Sequence, residues 1–423
     1  MLDRAPEFLF ENVGSHGDVM PFLNVAAELA RRGRRCQLLA NEHFRPLAEA
    51  HGVGFHAHTT ARTHGELPGD SASYLYFKFD GARAYFARPN AFDPQTIVVS
   101  MHNYGALEPL AESHRLRTVR LHLFPSKIKS LIAPSWPLGA RACGPGGDRF
   151  LSLTLPAMYR AASVHPRALA RINTVRAQVG LPAVDTADYE RRHVVAQAAL
   201  FPEWYGMPAA DWPQLQFLGF PLPRSSEPLP AQVGEFLARH PRPLVFTTGT
   251  GYATPEPFFE AAARCCSELG MPGIFLSPFS SAPRSAPGAA LAHFDYVELE
   301  TLLPHAALIV HHGGLGTTAR ALQAGIPQLI SPIGFDQPDN GHRVELLGAG
   351  RVVPRESLSG AVFARAVREL LADRATATRL PYYAAALTRP RAIEDAADFL
   401  LGVARSTPVS GASVTGRSAV HTD

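Results

Sequence analysis

The chain alternates short apolar runs with segments of helical period, and it does so twice. From Phe8 come FLFENV, a helix from about Pro21, QLLA at 37–40, a helix near 44–51 and VGFHA, then TIVVS at 96–100, a helix near 106–115 and TVRLHLF. Parallel strands need a long crossover between them, so this rhythm marks βαβ units. A second run opens at PLVFTTGTG: LVFTT, a helix over 255–269, GIFLSP, FDYVE, ALIV, a helix over 317–324, PQLISPI, a helix over 338–347 and three more helices to about 405. Between the runs, GFPLPRSSEPLPAQ at 219–232 is rich in Pro and Ser, as linkers are. The expected fold is α/β, two Rossmann-like domains facing across a cleft: 1–220, a linker at 221–232, 233–405 and a disordered tail at 406–423. The stretch from about 125 to 190 breaks the rhythm and reads as an insertion lining something.

Composition narrows the function. With 423 residues and 46% hydrophobic content there is enough apolar surface for two cores, at roughly 150 residues per domain. Charged residues are only 18% and the net charge is +3, too thin a basic field for a nucleic-acid partner. The lysines are Lys78, Lys127 and Lys129, and none closes a Gly-rich loop, which excludes a P-loop NTPase. Cys36, Cys143, Cys265 and Cys266 form no C-x-x-C pair and read as reduced thiols. MLDRAPEFLFENVG is too short in apolar residues for a signal peptide, so a cytoplasmic location is expected, and a surface patch leaves peripheral membrane contact open. Oligomeric state leaves no trace.

Two strand-to-helix turns carry the chemistry. The first is Gly14-Ser-His-Gly17-Asp18-Val-Met-Pro21, where Asp18 is either a helix N-cap or a carboxylate held at the cleft as a general base. Pro21 suits a first helical turn. The second is His311-His312-Gly313-Gly314-Leu315-Gly316-Thr317-Thr318 after the strand ALIV. Its glycines let backbone amides and the positive helix end approach a diphosphate, with the Thr hydroxyls as donors and a His able to add charge. A dinucleotide site is the alternative, since Gly314-x-Gly316-x-x-Ala319 fits that fingerprint and Asp336 follows about twenty residues later, though beyond the strand end.

HHGGLGTTARALQAGIPQLISPIGFDQPDNGHRVELLGAG resembles the nucleotide-sugar signature of the family-one glycosyltransferases, which have the two-domain GT-B fold. GSHGDVMPFLNVAAELARRG resembles the acceptor-side motif of the same family, and FPEWYGMPAADWPQLQFLGFPL, INTVRAQVGLP and PLVFTTGT are most similar to the bacterial rhamnosyltransferase branch that makes glycolipids. The resemblance runs to about residue 405. It implies C-terminal helices returning to the first domain, an acceptor-binding first half and a nucleotide-sugar-binding second half.

Position by position, the resemblance puts Asp18 at the family's catalytic base and His311 at its diphosphate-contacting His. Gly313, Gly314, Gly316 and Thr317 become the backbone cradle, Asp336 and Gln337 the sugar-binding pair, and Asn340 the polar residue after it. Thr250 falls where a Ser faces the phosphates, Tyr296 where an aromatic stacks on the base, and Val297 where the backbone contacts it. Tyr296, Glu298 and Leu299 depart from the plant pattern, and IVVSMHNYG lacks the acid that assists a His base, leaving only His102 nearby.

The expected activity is transfer of glucose or rhamnose, a hexose or 6-deoxyhexose, from UDP or dTDP to a hydroxyl of a hydrophobic small molecule or lipid. Inversion follows from the resemblance, and neither cofactor nor metal is expected. His51, His56, His58 and His64 lack companion ligands and read as solvated loop residues. The apolar stretch at 121–160 favours a hydrophobic acceptor, and the stripe Tyr74, Tyr76, Phe77, Phe79, Tyr85 and Phe86 is core or acceptor wall. A catalytically silent donor-binding partner, a nucleotide-sugar epimerase and an NAD(P) oxidoreductase are the alternatives.

Overall fold

The structure is a computed structural model that describes residues 4–59, 71–101, 107–128, 130, 166–185, 194–224, 227–249, 256–278, 287–388 and 391–406. Strands β1 (Phe8–Glu11), β2 (Cys36–Asn41), β3 (Gly54–Thr59), β4 (Ile97–Ser100), β5 (Arg117–His122), β6 (Val194–Ala199) and β7 (Gln216–Phe217) form one parallel sheet, ordered β3-β2-β1-β4-β5-β6-β7. A second parallel sheet holds β8 (Leu244–Thr247), β9 (Gly273–Leu276), β10 (Leu291–Phe294), β11 (Leu308–His311), β12 (Gln328–Ile330) and β13 (Gly350–Val352), ordered β10-β9-β8-β11-β12-β13. Both sheets wind outward from their first strand and then jump back beside it. The jump opens a crevice at the carboxyl ends of β1 and β4, and another at those of β8 and β11.

The first sheet is flanked by α1 (His16–Arg31), α2 (Arg45–Ala50), α3 (Ser71–Phe86), α4 (Leu107–Ser113), α5 (Pro166–Gln178) and α6 (Glu203–Gly206). The rest of the chain adds α7 (Ala231–Arg239), α8 (Glu256–Leu269), α9 (Leu299–Leu302), α10 (Leu315–Ala324), α11 (Gln337–Leu346), α12 (Gly360–Ala372), α13 (Arg374–Ala386) and α14 (Ala392–Arg405). Parallel strands covered on both faces must be apolar on both. Phe8 and Phe10 accordingly pack with Phe22, Val25 and Leu29 of α1, while Leu9 packs with Phe79, Tyr85 and Leu110. In the second sheet Phe246 and Phe275 face α8 and α12, and Val245 and Ile274 face α7 and α10.

The core around α1 continues into the second half through Tyr205, Phe220, Leu315, Val344 and Tyr383. The last helix does return to the first domain, as the family resemblance implied. α14 lies on α1, with an Arg32–Asp398 ion pair at 2.5 Å and Arg117 donating to the Val403 carbonyl at 2.8 Å.

Several expectations change. α1 starts at His16, not Pro21, because Ser15 and Asp18 cap it there, so Pro21 lies inside the helix rather than in its first turn. FDYVE is not a strand: β10 ends at Phe294, and the rest is a loop. β6, β7, β13 and α3 were not legible as elements. In the 125–190 stretch, α5 packs into the outer layer of the first domain, with Val175 in its core and Arg176 paired with Glu112 at 2.5 Å. Phe79, Tyr85 and Phe86 of the aromatic stripe are core, as are Leu121, Leu123, Phe124 and Ile128 of the apolar stretch. The side chains of Tyr74, Tyr76 and Phe77, the segments LIAPSWPLG and FLSLTLPAMYRAA, and the tail from 407 lie outside the described residues. His56 and His58 are strand rather than loop residues, and His58 is buried 3.7 Å from Glu11. Among the described residues no helix is long and apolar enough to cross a membrane.

Candidate functional site

After β1 the chain turns at Gly14 and enters α1 through Ser15. Asp18 is the third helical residue, not the N-cap. Its Oδ2 accepts from the Ser15 N–H at 2.9 Å and the Ser15 hydroxyl at 2.8 Å, so the acid ties down the helix start. A Cβ on Gly14 would lie 2.5 Å from that oxygen, so only glycine lets the carboxylate fold back here. Asn41 accepts from the Gly14 N–H at 2.9 Å, and the Asn12 amide donates to the Asp18 carbonyl at 2.5 Å.

The turn after β11 has the same plan with different chemistry. Gly313 has φ +92°, and Gly314 caps α10 without a side-chain hydrogen bond. No acid stands in the first turn of that helix. Gly316 is exposed and Thr317 occupies the position that Asp18 holds in α1. The opening amides of α10 therefore receive no carboxylate from their own helix, which leaves an anion-binding end.

His311 meets this turn only from its buried side. It is fully buried; the Gly313 N–H donates to its Nδ1 at 3.1 Å, and its Nε2 lies 3.0 Å from Gln328 Oε1. An N–H can only donate, so Nδ1 accepts and Nε2 carries the proton. Burial, helped by His312, pushes its pKa down to about 3. His311 therefore braces the turn as a neutral ring, correcting its assignment as the diphosphate contact and as a source of charge.

His312, which the sequence reading passed over, is the histidine set against the open turn. A Cβ on Gly249 would meet its Cε1 at 2.6 Å, and one on Gly314 would meet its Nε2 at 2.6 Å. The ring thus sits between the turns that follow β8 and β11, at the switch point of the sheet. Burial lowers its pKa to about 4. Its Nδ1, with the hydroxyls of Thr248, Thr318 and Ser331, is buried without a hydrogen-bond partner. The signal was strand parity: neighbouring residues at a strand end point to opposite faces.

Asp336 starts α11 and stands half-buried. Its pKa is raised to about 6, first by burial and then by the negative charge of Asp18, while Lys127 and a hydrogen bond from Asn340 pull it down. The structure thus brings the two acids near each other across the cleft. Asp336 lies beyond the end of β12 at Ile330, not at the strand end where a ribose-binding acid stands, which weighs against the dinucleotide alternative.

Gln337 is buried, and its Oε1 accepts from the Ile333 and Gly334 N–H groups at 2.8 and 3.1 Å, so that oxygen holds the loop. Asn340 is fully buried and its amide donates to the Gly313 carbonyl at 2.9 Å and to Asp336 Oδ2 at 2.6 Å. It ties the Gly313 carbonyl to the Asp336 carboxylate and presents no free group of its own. Tyr296 is 64% exposed on the loop after β10, steadied by its hydroxyl bond to Glu298 at 2.7 Å, whereas the Val297 side chain is core. Thr250 and His102 lie outside the described residues. Among the described residues no cluster of three or more His, Cys, Asp or Glu could hold a metal ion.

Residues 283–398 match the family described as erythromycin biosynthesis protein CIII-like, C-terminal domain. O-mycaminosyltylonolide 6-deoxyallosyltransferase of Streptomyces fradiae is 27% identical over 418 residues, covering 91% of this chain and 94% of that protein. The crystal structure of the kitacinnamycin glycotransferase superposes with a TM-score of 0.70 at 19% identity, covering 94% of this chain and 99% of that one. Spinosyn rhamnosyltransferase SpnG gives 0.62 at 18% identity, covering 94% and 99%. The solved structures establish the fold. The matched family covers the C-terminal part of the chain and the relative nearly all of it, so the chain is similar to glycosyltransferases and shares their two-domain GT-B fold.

Proposed function

We propose that the chain transfers a hexose or 6-deoxyhexose from a nucleoside diphosphate, UDP or dTDP, to a hydroxyl of a hydrophobic small-molecule or lipid acceptor, with inversion and without a resident metal. One observation carries this reading: a helix start left open to an anion lies across the cleft from a helix start that holds a carboxylate, with Asp336 near that carboxylate. The diphosphate would sit on the opening amides of α10 and on His312 Nδ1, with Asp336 accepting from sugar hydroxyls and Tyr296 flat against the base.

Asp18 takes the proton from the acceptor hydroxyl while its oxygen bonds to the anomeric carbon and the bond from that carbon to the diphosphate oxygen breaks. Negative charge then grows on the diphosphate, where the amides and His312 are already aimed. Attack from the side opposite the leaving group inverts the anomeric centre. The Streptomyces fradiae relative is a 6-deoxyallosyltransferase, which favours a 6-deoxyhexose. Relatives and structural neighbours named for natural products favour that kind of acceptor over a lipid.

The test is incubation with UDP-glucose and dTDP-rhamnose, each with a panel of hydroxylated polyketides and lipids, followed by mass spectrometry, with and without EDTA. A glycosylated product that needs one nucleotide, and that EDTA leaves unchanged, is expected. Donor conversion without an acceptor would mean an epimerase, and donor binding without any product a silent partner. Binding of NADH alone would overturn the reading.

A further inference from the structure

α6 is a single helical turn of the first domain, wedged against the second. Trp204 stacks on Tyr383 with ring centroids 5.1 Å apart, and Tyr205 is fully buried edge-on to Phe220. A Cβ on Gly206 would meet Phe201 at 2.7 Å. From α11, Arg343 donates to the carbonyls of Tyr205 and Gly206 at 3.2 and 2.6 Å while its Nε holds Asp339 at 2.7 Å. This clamp fixes the Tyr205 hydroxyl, which donates to Asn340 Oδ1 at 3.0 Å.

The amide of Asn340 can face only one way. The Gly313 carbonyl can only accept, so Nδ2 must point to it, and the second hydrogen of Nδ2 goes to Asp336 Oδ2. The oxygen is left for Tyr205. We propose that Tyr205 is a positioning residue: through Asn340 its hydroxyl locks the Asp336 carboxylate and the Gly313 carbonyl in one arrangement, so the first domain sets both ends of the donor pocket. The inference rests on the glycosyltransferase reading for its consequence, though not for its geometry.

Without the hydroxyl, Asn340 Oδ1 is a buried acceptor with no donor, and the amide gains reason to rotate away from Asp336. Asp336 then loses one of the donors that favour its charged form, the Asn340 amide. The charged and titratable groups around it are Asp18 on α1, Lys127 in the turn after β5, and Tyr205 with the Asp339–Arg343 pair behind it.

The experiment follows the Asp336 carboxyl by carbon-13 NMR, with Asp336→Asn as the blank, alongside donor affinity against pH. In Tyr205→Phe, which keeps the ring packing, the titration midpoint is expected to rise above its position near pH 6. Donor affinity at pH 7 is expected to fall about 3- to 10-fold, the worth of one buried hydrogen bond. Asn340→Ala should move the midpoint further. Tyr383→Phe removes another buried hydroxyl, bonded to the Leu347 carbonyl at 2.8 Å, and should leave the midpoint in place. An unmoved midpoint in Tyr205→Phe, or an equal shift in Tyr383→Phe, overturns the inference. Failure of the wild type to bind any nucleotide sugar overturns the functional reading instead, while the carboxyl titration still decides the role of Tyr205.

Discussion

The turns after β1 and β11 follow one plan and end in opposite chemistry. Each has a positive-φ glycine, Gly14 or Gly313, then an N-cap, Ser15 or Gly314, and a glycine in the second helical position, Gly17 or Gly316. They part at the third position, where one has Asp18 and the other Thr317. In the first turn a carboxylate already sits at the helix start, accepting from the Ser15 N–H and hydroxyl, so no external anion is called for and an acid stands at the cleft. In the second, glycine and threonine supply no carboxylate, which leaves the helix start open to an anion. A helix start is an anion site by default, and one side chain decides whether the anion is internal or external.

The largest effect should come from neutralising the first turn. Asp18→Asn keeps an oxygen that can accept from Ser15, so the fold should hold, while kcat falls about 10²-fold or more with donor affinity nearly unchanged. Steady-state kinetics beside calorimetry will check this, and full turnover would return Asp18 to a capping role alone. Next comes converting the second turn into the first. Thr317→Asp supplies an internal carboxylate to α10 and should weaken nucleoside diphosphate binding by about 30-fold, the scale of roughly 2 kcal/mol at a partly buried helix end. Calorimetric titration reads the loss, and unchanged affinity would separate the diphosphate from this turn.

Asp336 sharpens the comparison through pH. Its pKa near 6 lies above its ordinary 3.8, so its favourable contribution to stability is complete below about pH 4 and is lost as pH rises through 6. Asp336→Asn should therefore be more stable than wild type above pH 6, on the order of 2 kcal/mol, with the gap closing below pH 4. Denaturant unfolding at both pH values checks this. The smallest effect separates the two histidines: His312→Ala should weaken donor binding about 5- to 10-fold with a near-normal melting temperature. His311→Ala, which removes the acceptor of the Gly313 N–H, should instead lower the melting temperature first. The reverse pattern would restore His311 as the contact.

Much of this was legible in the sequence because it is local. The β–α rhythm follows from periodicity, and both glycine turns follow from residues a few positions apart. The histidine pair misled because spacing gives no strand parity, and parity alone decides which of two adjacent rings enters the core. FDYVE misled because an exposed Tyr296 looks as strand-like as a buried one, while Asp295 and Glu298 belong to a loop. The three residues of β13 are hidden by their glycine-rich surroundings. Asn340 looked like a ligand because it is polar and follows Asp336, yet its bonds to Gly313 and Tyr205 span distant stretches of chain. Tyr205 gave no local sign at all, since its role exists only once the two domains meet.

The most direct test is calorimetric titration of UDP-glucose and dTDP-rhamnose into wild type, Asp18→Asn and Thr317→Asp. Wild type and Asp18→Asn are expected to bind one of these donors with similar affinity, and Thr317→Asp to bind it far more weakly. Equal binding by all three, or a loss confined to Asp18→Asn, would contradict the division of labour between the two turns.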